Sequence, residues 1–253
     1  MEQVEKEFKP SIALGGTPAM DKLRPAGHAP IDLAVRWVMK KPDGLYLQSK
    51  YGILRLSPIR SDIVRVTFAR GSAFRDDVHP KIAVKQTERF WYYKESFQRV
   101  ELLTEDMILS VAKKNGSISY MTRERRSLLT EREKECRQLE AGAGGKLRVW
   151  FYPSWSKQEQ LYSPDAAGGT LELSGLARYI ATGAADEMLP FVCSRKGYGI
   201  LLATSGPAIC CHMPAYGFYL YTEQVEQLDY YFIVGESESS IMRGRDYLCG
   251  VKQ

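Results

Sequence analysis

Three groups of residues in this chain of 253 residues have the types that active-site chemistry needs. The first is Lys196-Gly197-Tyr198-Gly199, which has the look of a loop that cradles a phosphate. A dinucleotide loop requires G-x-G-x-x-G after a strand and opening a helix, so that backbone N–H groups meet the phosphates. Leu202 stands where the third glycine belongs, and Ile200-Leu201-Leu202-Ala203-Thr204 reads as a strand. A P-loop fails as well, because no Lys-Ser/Thr follows a glycine at the required spacing. The segment is expected to be a strand–turn–strand hairpin in which Gly197 and Gly199 supply positive φ.

The second group is Cys210-Cys211-His212, the one cluster with thiol and imidazole side by side. Adjacent residues on a strand project to opposite faces, so they cannot readily share a metal ion or act as nucleophile and base. Buried structural cysteines are the expectation, with no metal and no cofactor. The third group comprises the acidic pairs Asp76-Asp77, Glu105-Asp106 and Asp186-Glu187. A retaining glycosidase needs two carboxyl groups roughly 5–5.5 Å apart on separate rigid elements. Acids adjacent in turns more often solvate the surface or cap local backbone, so no catalytic residue is assigned to this chain.

The elements that must carry these residues are mostly strands. From Gly44 onward, short runs rich in Val, Ile, Tyr, Phe and Trp alternate with turn signals at roughly 8–12-residue spacing, which predicts an all-β sandwich or barrel. In SDIVRVTFAR, Ile63, Arg65 and Thr67 share one face and Val64, Val66 and Phe68 the other. FQRVELLTEDMILSVAKKNGSISYM predicts three successive strands, the last two joined at Asn115-Gly116. Residues 1–35 read as a loosely attached N-terminal arm, and 36–250 as the sandwich. Within it, the charged stretch 122–145 reads as a solvated insertion: Leu128 and Leu129 continue the sheet, Glu131 to Glu140 suit a short exposed helix, and Gly142 to Gly145 a flexible link. Residues 237–250 change to helical spacing, with serines to cap the start and Gly250 at the C′ position. The aromatic residues, among them Trp91-Tyr92-Tyr93 and Trp150-Phe151-Tyr152, suit packing between sheets better than a sugar-stacking platform.

Composition excludes several function classes. Lys and Arg total 35 against 30 Asp and Glu, a net charge of +5, and the two signs are interspersed, which speaks against a nucleic-acid footprint. No apolar run approaches the roughly 20 residues of a membrane span, and no export signal interrupts the charged N-terminus. Five cysteines, an odd number without repeated spacing, suit free thiols in a reducing cytoplasm.

Two stretches carry a family resemblance. MLPFVCSRKGYGILLATSG is similar to the segment of glycoside hydrolase family 31 in which Pro-Phe is followed by a strand, Ser, a basic residue and Gly-Tyr-Gly. LDYYFIVGESESSIMRGRDYLCG resembles that family's Asp-Tyr-Tyr-Phe, Gly, acidic residues and helix ending in Leu-x-Gly. YGILRLSPIRSDIVRVTFAR and the ELLTEDMILSVAKKNGSISYM hairpin resemble its early strands, so the match runs in order over roughly residues 40–250.

The resemblance implies an N-terminal, galactose-mutarotase-like β-sandwich with a short C-terminal helix, taken from a retaining α-glucosidase or α-xylosidase. The two catalytic aspartates of such an enzyme lie on a (β/α)8 barrel that begins after the helix, so residues 251–253 are expected to start the linker to it and this chain to be inactive alone. Its partners are then the barrel of the same polypeptide and an α-linked glycoside, and the parent enzyme is open to oligomerisation. In the family, a loop before Pro-Phe reaches the rim of the sugar pocket, often with an Asn or Asp that touches sugar. Here that loop is IATGAADEMLPF, where the usual Asn position is Ala and the polar candidates for substrate binding are Asp186 and Glu187. LYSPDAAGG also departs from the family's Tyr-Gly-Leu-Gly-Glu. Two alternatives remain: a stand-alone β-sandwich module that binds carbohydrate or another partner through aromatics, and, ranked last, a mutarotase-type enzyme, which would need a convergent His and carboxylate.

Overall fold

The computed structural model describes residues 13–23, 31–71, 73–75, 79–84, 90–164, 169–183, 186 and 188–251. A single helical turn, α1 (Met20–Leu23), precedes β1 (Trp37–Lys41), β2 (Gly44–Gln48), β3 (Gly52–Arg60) and β4 (Ile63–Arg70). Five short strands follow: β5 (Tyr92–Glu95), β6 (Arg99–Leu103), β7 (Met107–Ala112), β8 (Ile118–Thr122) and β9 (Ser127–Thr130). Then come β10 (Arg137–Ala141), β11 (Leu147–Phe151), β12 (Leu161–Pro164), β13 (Thr170–Glu172) and β14 (Ala177–Ala181). The chain continues through β15 (Phe191–Ser194), β16 (Tyr198–Leu202), β17 (Ala208–Met213), β18 (Gly217–Val225) and β19 (Leu228–Val234) to the helix α2 (Glu238–Cys249).

The strands form three sheets. The largest has the order β1-β2-β3-β4-β19-β16-β15-β12-β13, the second β10-β11-β18-β17-β14, and the third is a meander of β5 to β9. One continuous core joins them: Leu56 and Val66 come from the large sheet, Val149 and Leu220 from the second, and Leu102 and Leu109 from the meander. The protein is thus an all-β sandwich with one terminal helix. Alternation along β4 follows the predicted faces, with Val64, Val66 and Phe68 in the sandwich core. The opposite face is covered too, because Ile63 packs in a second cluster with Ile241 and Leu248 of α2. Arg65 on that face meets Asp229 of β19 with bonds of 2.9 and 2.5 Å.

Local signals in the sequence translate directly into turns and caps. Asn115 accepts from the Ser117 N–H at 3.1 Å and Gly116 takes φ 70°, which closes the β7–β8 hairpin. Ser237 accepts from the Ser240 N–H while Ser240 Oγ accepts from the Ser237 N–H, a reciprocal capping box. Gly250 ends α2 in the left-handed conformation at φ 70°. The Pro190 to Gly206 region is the predicted hairpin of β15 and β16. Its two glycines differ, however: Gly197 has φ 96°, whereas Gly199 is not in the positive-φ region. A side chain at Gly199 would lie 2.6 Å from the Phe191 ring and 2.8 Å from Ile241, so close packing under α2 is what requires glycine there.

Several expectations are overturned. Glu131 to Glu140 is not an exposed helix: Glu131 forms a bridge with Pro153, and β10 begins at Arg137. Nor is this stretch a solvated insertion, because Glu131 and Arg137 are 0% and 1% exposed and bonded to each other. Gly142 to Gly145 is a tight turn between β10 and β11, closed by the Gly142 N–H on the Lys146 carbonyl at 2.7 Å. The described parts of the N-terminal arm are also held firmly. The Gly15 N–H donates to the Tyr179 carbonyl at 2.8 Å and the Tyr179 N–H to the Gly16 carbonyl at 3.0 Å, so the arm lies along the free edge of β14. Leu23 then packs beside Trp150, Tyr152 and Tyr219 on the outer face of the second sheet.

Candidate functional site

The loop from β14 to β15 carries the predicted site residues. Its start, Thr182-Gly183-Ala184-Ala185, has no large side chain in its sequence, and among the described residues after Ala181 the next buried apolar one is Leu189. Asp186 compensates by folding back on the loop. Its carboxylate accepts from the Thr182 N–H and hydroxyl, each at 2.5 Å, and from the Gly183 N–H at 3.1 Å. Burial pushes the carboxyl up, but the Thr182 and Gly183 donors, with the charge of Lys81, outweigh it and hold Asp186 below its ordinary range. Asp186 is therefore an ionised buckle for the loop. Glu187 lies outside the described residues, and so do Asp76 and Asp77.

A second segment, residues 79–84, packs against this loop. The Lys81 ammonium donates to the Asp186 carbonyl. Beside it, His79 Nε2 lies 2.7 Å from Ser205 Oγ, and the Lys81 N–H donates to His79 Nδ1 at 3.2 Å. The two groups face an open cavity of about 300 Å³ that also meets Arg75, Glu226 and Asp229. A Ser–His pair in a cavity has the parts of a nucleophile and base. The tautomer is wrong for it: with Nδ1 accepting from Lys81, Nε2 carries the proton and donates to Ser205.

Burial lowers the His79 pKa, Lys81 lowers it further, and Asp229 partly opposes them. A histidine with a depressed folded pKa favours folding when neutral, so its contribution is complete above the ordinary value of 6.5 and is lost as pH falls through the lower folded value. Urea midpoints of the wild-type chain are thus expected to fall more steeply between pH 7 and 5 than those of His79→Gln. Equal slopes would remove His79 from the acid response.

The remaining candidates are structural. Cys210 belongs to the sandwich core and Cys211 to the outer face, as strand alternation requires. His212 is buried with both ring nitrogens committed: its Nδ1 accepts from the Gly175 N–H at 2.9 Å and its Nε2 donates to the Ser156 carbonyl at 2.8 Å. All five cysteines are free, and burial pushes the thiols of Cys136 and Cys193 up to about 12, so they stay protonated. Among the described residues, no three His, Cys, Asp or Glu side chains converge as a metal site would require. No described helix is long and apolar enough to cross a membrane.

Most aromatics pack inside, including Trp150, Phe151, Tyr152, Trp155, Tyr230 and Phe232. Phe90, Tyr92, Tyr93 and Phe97 are exposed on and around β5, the edge strand of the meander. Sequence reasoning missed two buried carboxylates. Glu131 is one; the other is Glu159, which accepts from Ser194 Oγ at 2.6 Å and Tyr198 OH at 3.0 Å and pairs with Lys196. A faint signal existed for Glu131, which follows Leu129 by two residues and so falls on the same inward strand face.

No protein-family model matches the sequence, and no curated protein matches it significantly. Solved structures do match. A GH31 α-xylosidase from a soil metagenome, complexed with xylose, superposes over 83% of this chain with a TM-score of 0.69 and 16% identity. A Flavobacterium johnsoniae GH31 dextranase, complexed with glucose, superposes over 87% with a TM-score of 0.70 and 16% identity. The chain has the fold of a GH31 enzyme's sandwich region. It spans 34% and 28% of those two enzymes. A cycloalternan-forming enzyme from Listeria monocytogenes, in complex with a pentasaccharide substrate, matches 84% of this chain and 22% of its own, with a TM-score of 0.61 and 14% identity. Enzymes with different sugar chemistry thus share this sandwich, so the fold by itself does not select a sugar.

Proposed function

We propose that the chain is the non-catalytic N-terminal domain of a retaining α-glycosidase of the α-glucosidase or α-xylosidase type. It packs on a catalytic (β/α)8 barrel and contributes the 182–189 loop to the rim of the sugar pocket. One observation carries this reading: 83% and 87% of the chain superpose on only 34% and 28% of the two glycosidases, leaving most of those enzymes outside the match. The geometry agrees with it, since the Asp186 carboxylate is committed to its own loop and the Ser205–His79 pair has the wrong tautomer for nucleophilic attack. Five free thiols suit a reducing compartment such as the cytoplasm.

The test is hydrolysis of aryl α-xylosides and aryl α-glucosides by this chain alone and by a polypeptide that continues into a barrel. No release is expected from the chain alone and turnover from the longer polypeptide; turnover by the chain alone would overturn the reading. The exposed Phe90, Tyr92, Tyr93 and Phe97 favour a second reading, a stand-alone carbohydrate-binding module. That reading predicts saturable binding of gluco- or xylo-oligosaccharides by the chain, lost in Tyr92→Ala/Phe97→Ala.

A further inference from the structure

We propose that residues 79–84 are a strap that sets the position of the 182–186 loop, with Lys81 as a positioning residue for the sugar that the rim meets. This second part rests on the glycosidase reading; the strap itself does not. Four anchors fasten the segment. His79 donates to Ser205 in the β16–β17 connection, at 2.7 Å. Lys81 donates to the Asp186 carbonyl. Ile82 is 3% exposed in the cluster formed by the large sheet and α2. The Ala83 N–H donates to the Leu248 carbonyl in the last turn of α2, at 2.8 Å. The segment also turns on itself, with the Ile82 N–H on the His79 carbonyl at 2.8 Å.

The loop needs such a hold. Thr182 and Gly183 offer no large apolar side chain, and Gly183 at φ 152° adds backbone freedom. The Asp186 buckle closes the loop on itself, through Thr182 and Gly183, but does not fasten it to the sandwich. Lys81 supplies that fastening. Its ammonium meets the carbonyl of the residue whose carboxylate forms the buckle, so one cation holds the loop and favours the ionised buckle together. A long flexible cation is effective here only because His79, Ile82 and Ala83 fix the backbone on either side of it.

Hydrogen exchange of the chain, followed at the Thr182 and Gly183 amides, tests the strap. Lys81→Met is expected to speed their exchange roughly 3- to 10-fold, the equilibrium change for losing one net hydrogen bond. Lys81→Arg is expected to restore protection, and Ser205→Ala to speed exchange less. Unchanged exchange in Lys81→Met, with the global urea midpoint preserved, would overturn the strap. In the polypeptide carrying the barrel, Lys81→Met is expected to raise KM several-fold with kcat nearly unchanged, and Lys81→Arg to rescue it. Faster exchange with KM unmoved would keep the strap and overturn its role toward sugar. Absence of any turnover in the wild-type long polypeptide would instead count against the glycosidase reading, while the exchange result still decides the strap.

Discussion

Glu131→Gln is expected to destabilise the chain by about 3–5 kcal/mol, because it strands a buried guanidinium. Glu131 Oε2 accepts from Arg137 Nε at 3.2 Å and Nη2 at 2.5 Å, and from the Ile118 N–H at 2.9 Å. Tyr230 OH donates to Oε1 at 3.3 Å, and Tyr120 OH bonds to Tyr230 OH. Arg137 Nη2 also donates to the Gly116 carbonyl at 2.5 Å. The network therefore joins the meander, β10 and β19 at the centre of the sandwich. Burial pushes the Glu131 carboxyl up, and the Arg137 guanidinium opposes that rise. Glutamine keeps the shape and loses the charge, so the buried cation is left without its counter-ion.

The double variant Glu131→Leu/Arg137→Met is expected to lose much less than the sum of the single changes, since it removes both desolvated charges together. Urea denaturation of the singles and the double makes this a thermodynamic cycle. A loss below about 1 kcal/mol in Glu131→Gln would mean that the pair contributes little and that water or relaxation reaches Arg137.

Phe232→Ala is the second large effect, expected at about 3–5 kcal/mol and a fall in Tm of roughly 6–20 °C. Phe232 is fully buried on β19, paired with Val64 of β4 and Ile200 of β16. Its ring stacks on Tyr120 from the meander, with centroids 4.1 Å apart, and on Tyr198 of β16 at 5.3 Å. Truncation leaves a cavity between two sheets that the aromatic neighbours cannot close without breaking their own bonds to Tyr230, Glu159 and Trp155. Phe232→Leu, which nearly conserves volume, is expected to cost less than about 1.5 kcal/mol. Equal losses for Ala and Leu would show that ring stacking, rather than filled volume, is what Phe232 contributes.

The sequence by itself determined the strand class, the hairpins at Asn115-Gly116 and Lys196-Gly197, the Ser237 cap and the Gly250 stop. Each depends on residues within a few positions of one another, where turn chemistry and side-chain period act directly. It also located the Asp186 loop, through residues similar to those of a glycosidase family. Only the tertiary structure decided that Glu131 and Arg137 lie in the core, because the partners that make Glu131 tolerable there include Tyr230, 99 residues away in the chain. The same holds for the arm on β14 and for Lys81, which meets Asp186 across 105 residues. A charge reads as exposed until the fold brings its counter-charge and donors to it, and no local pattern records that meeting.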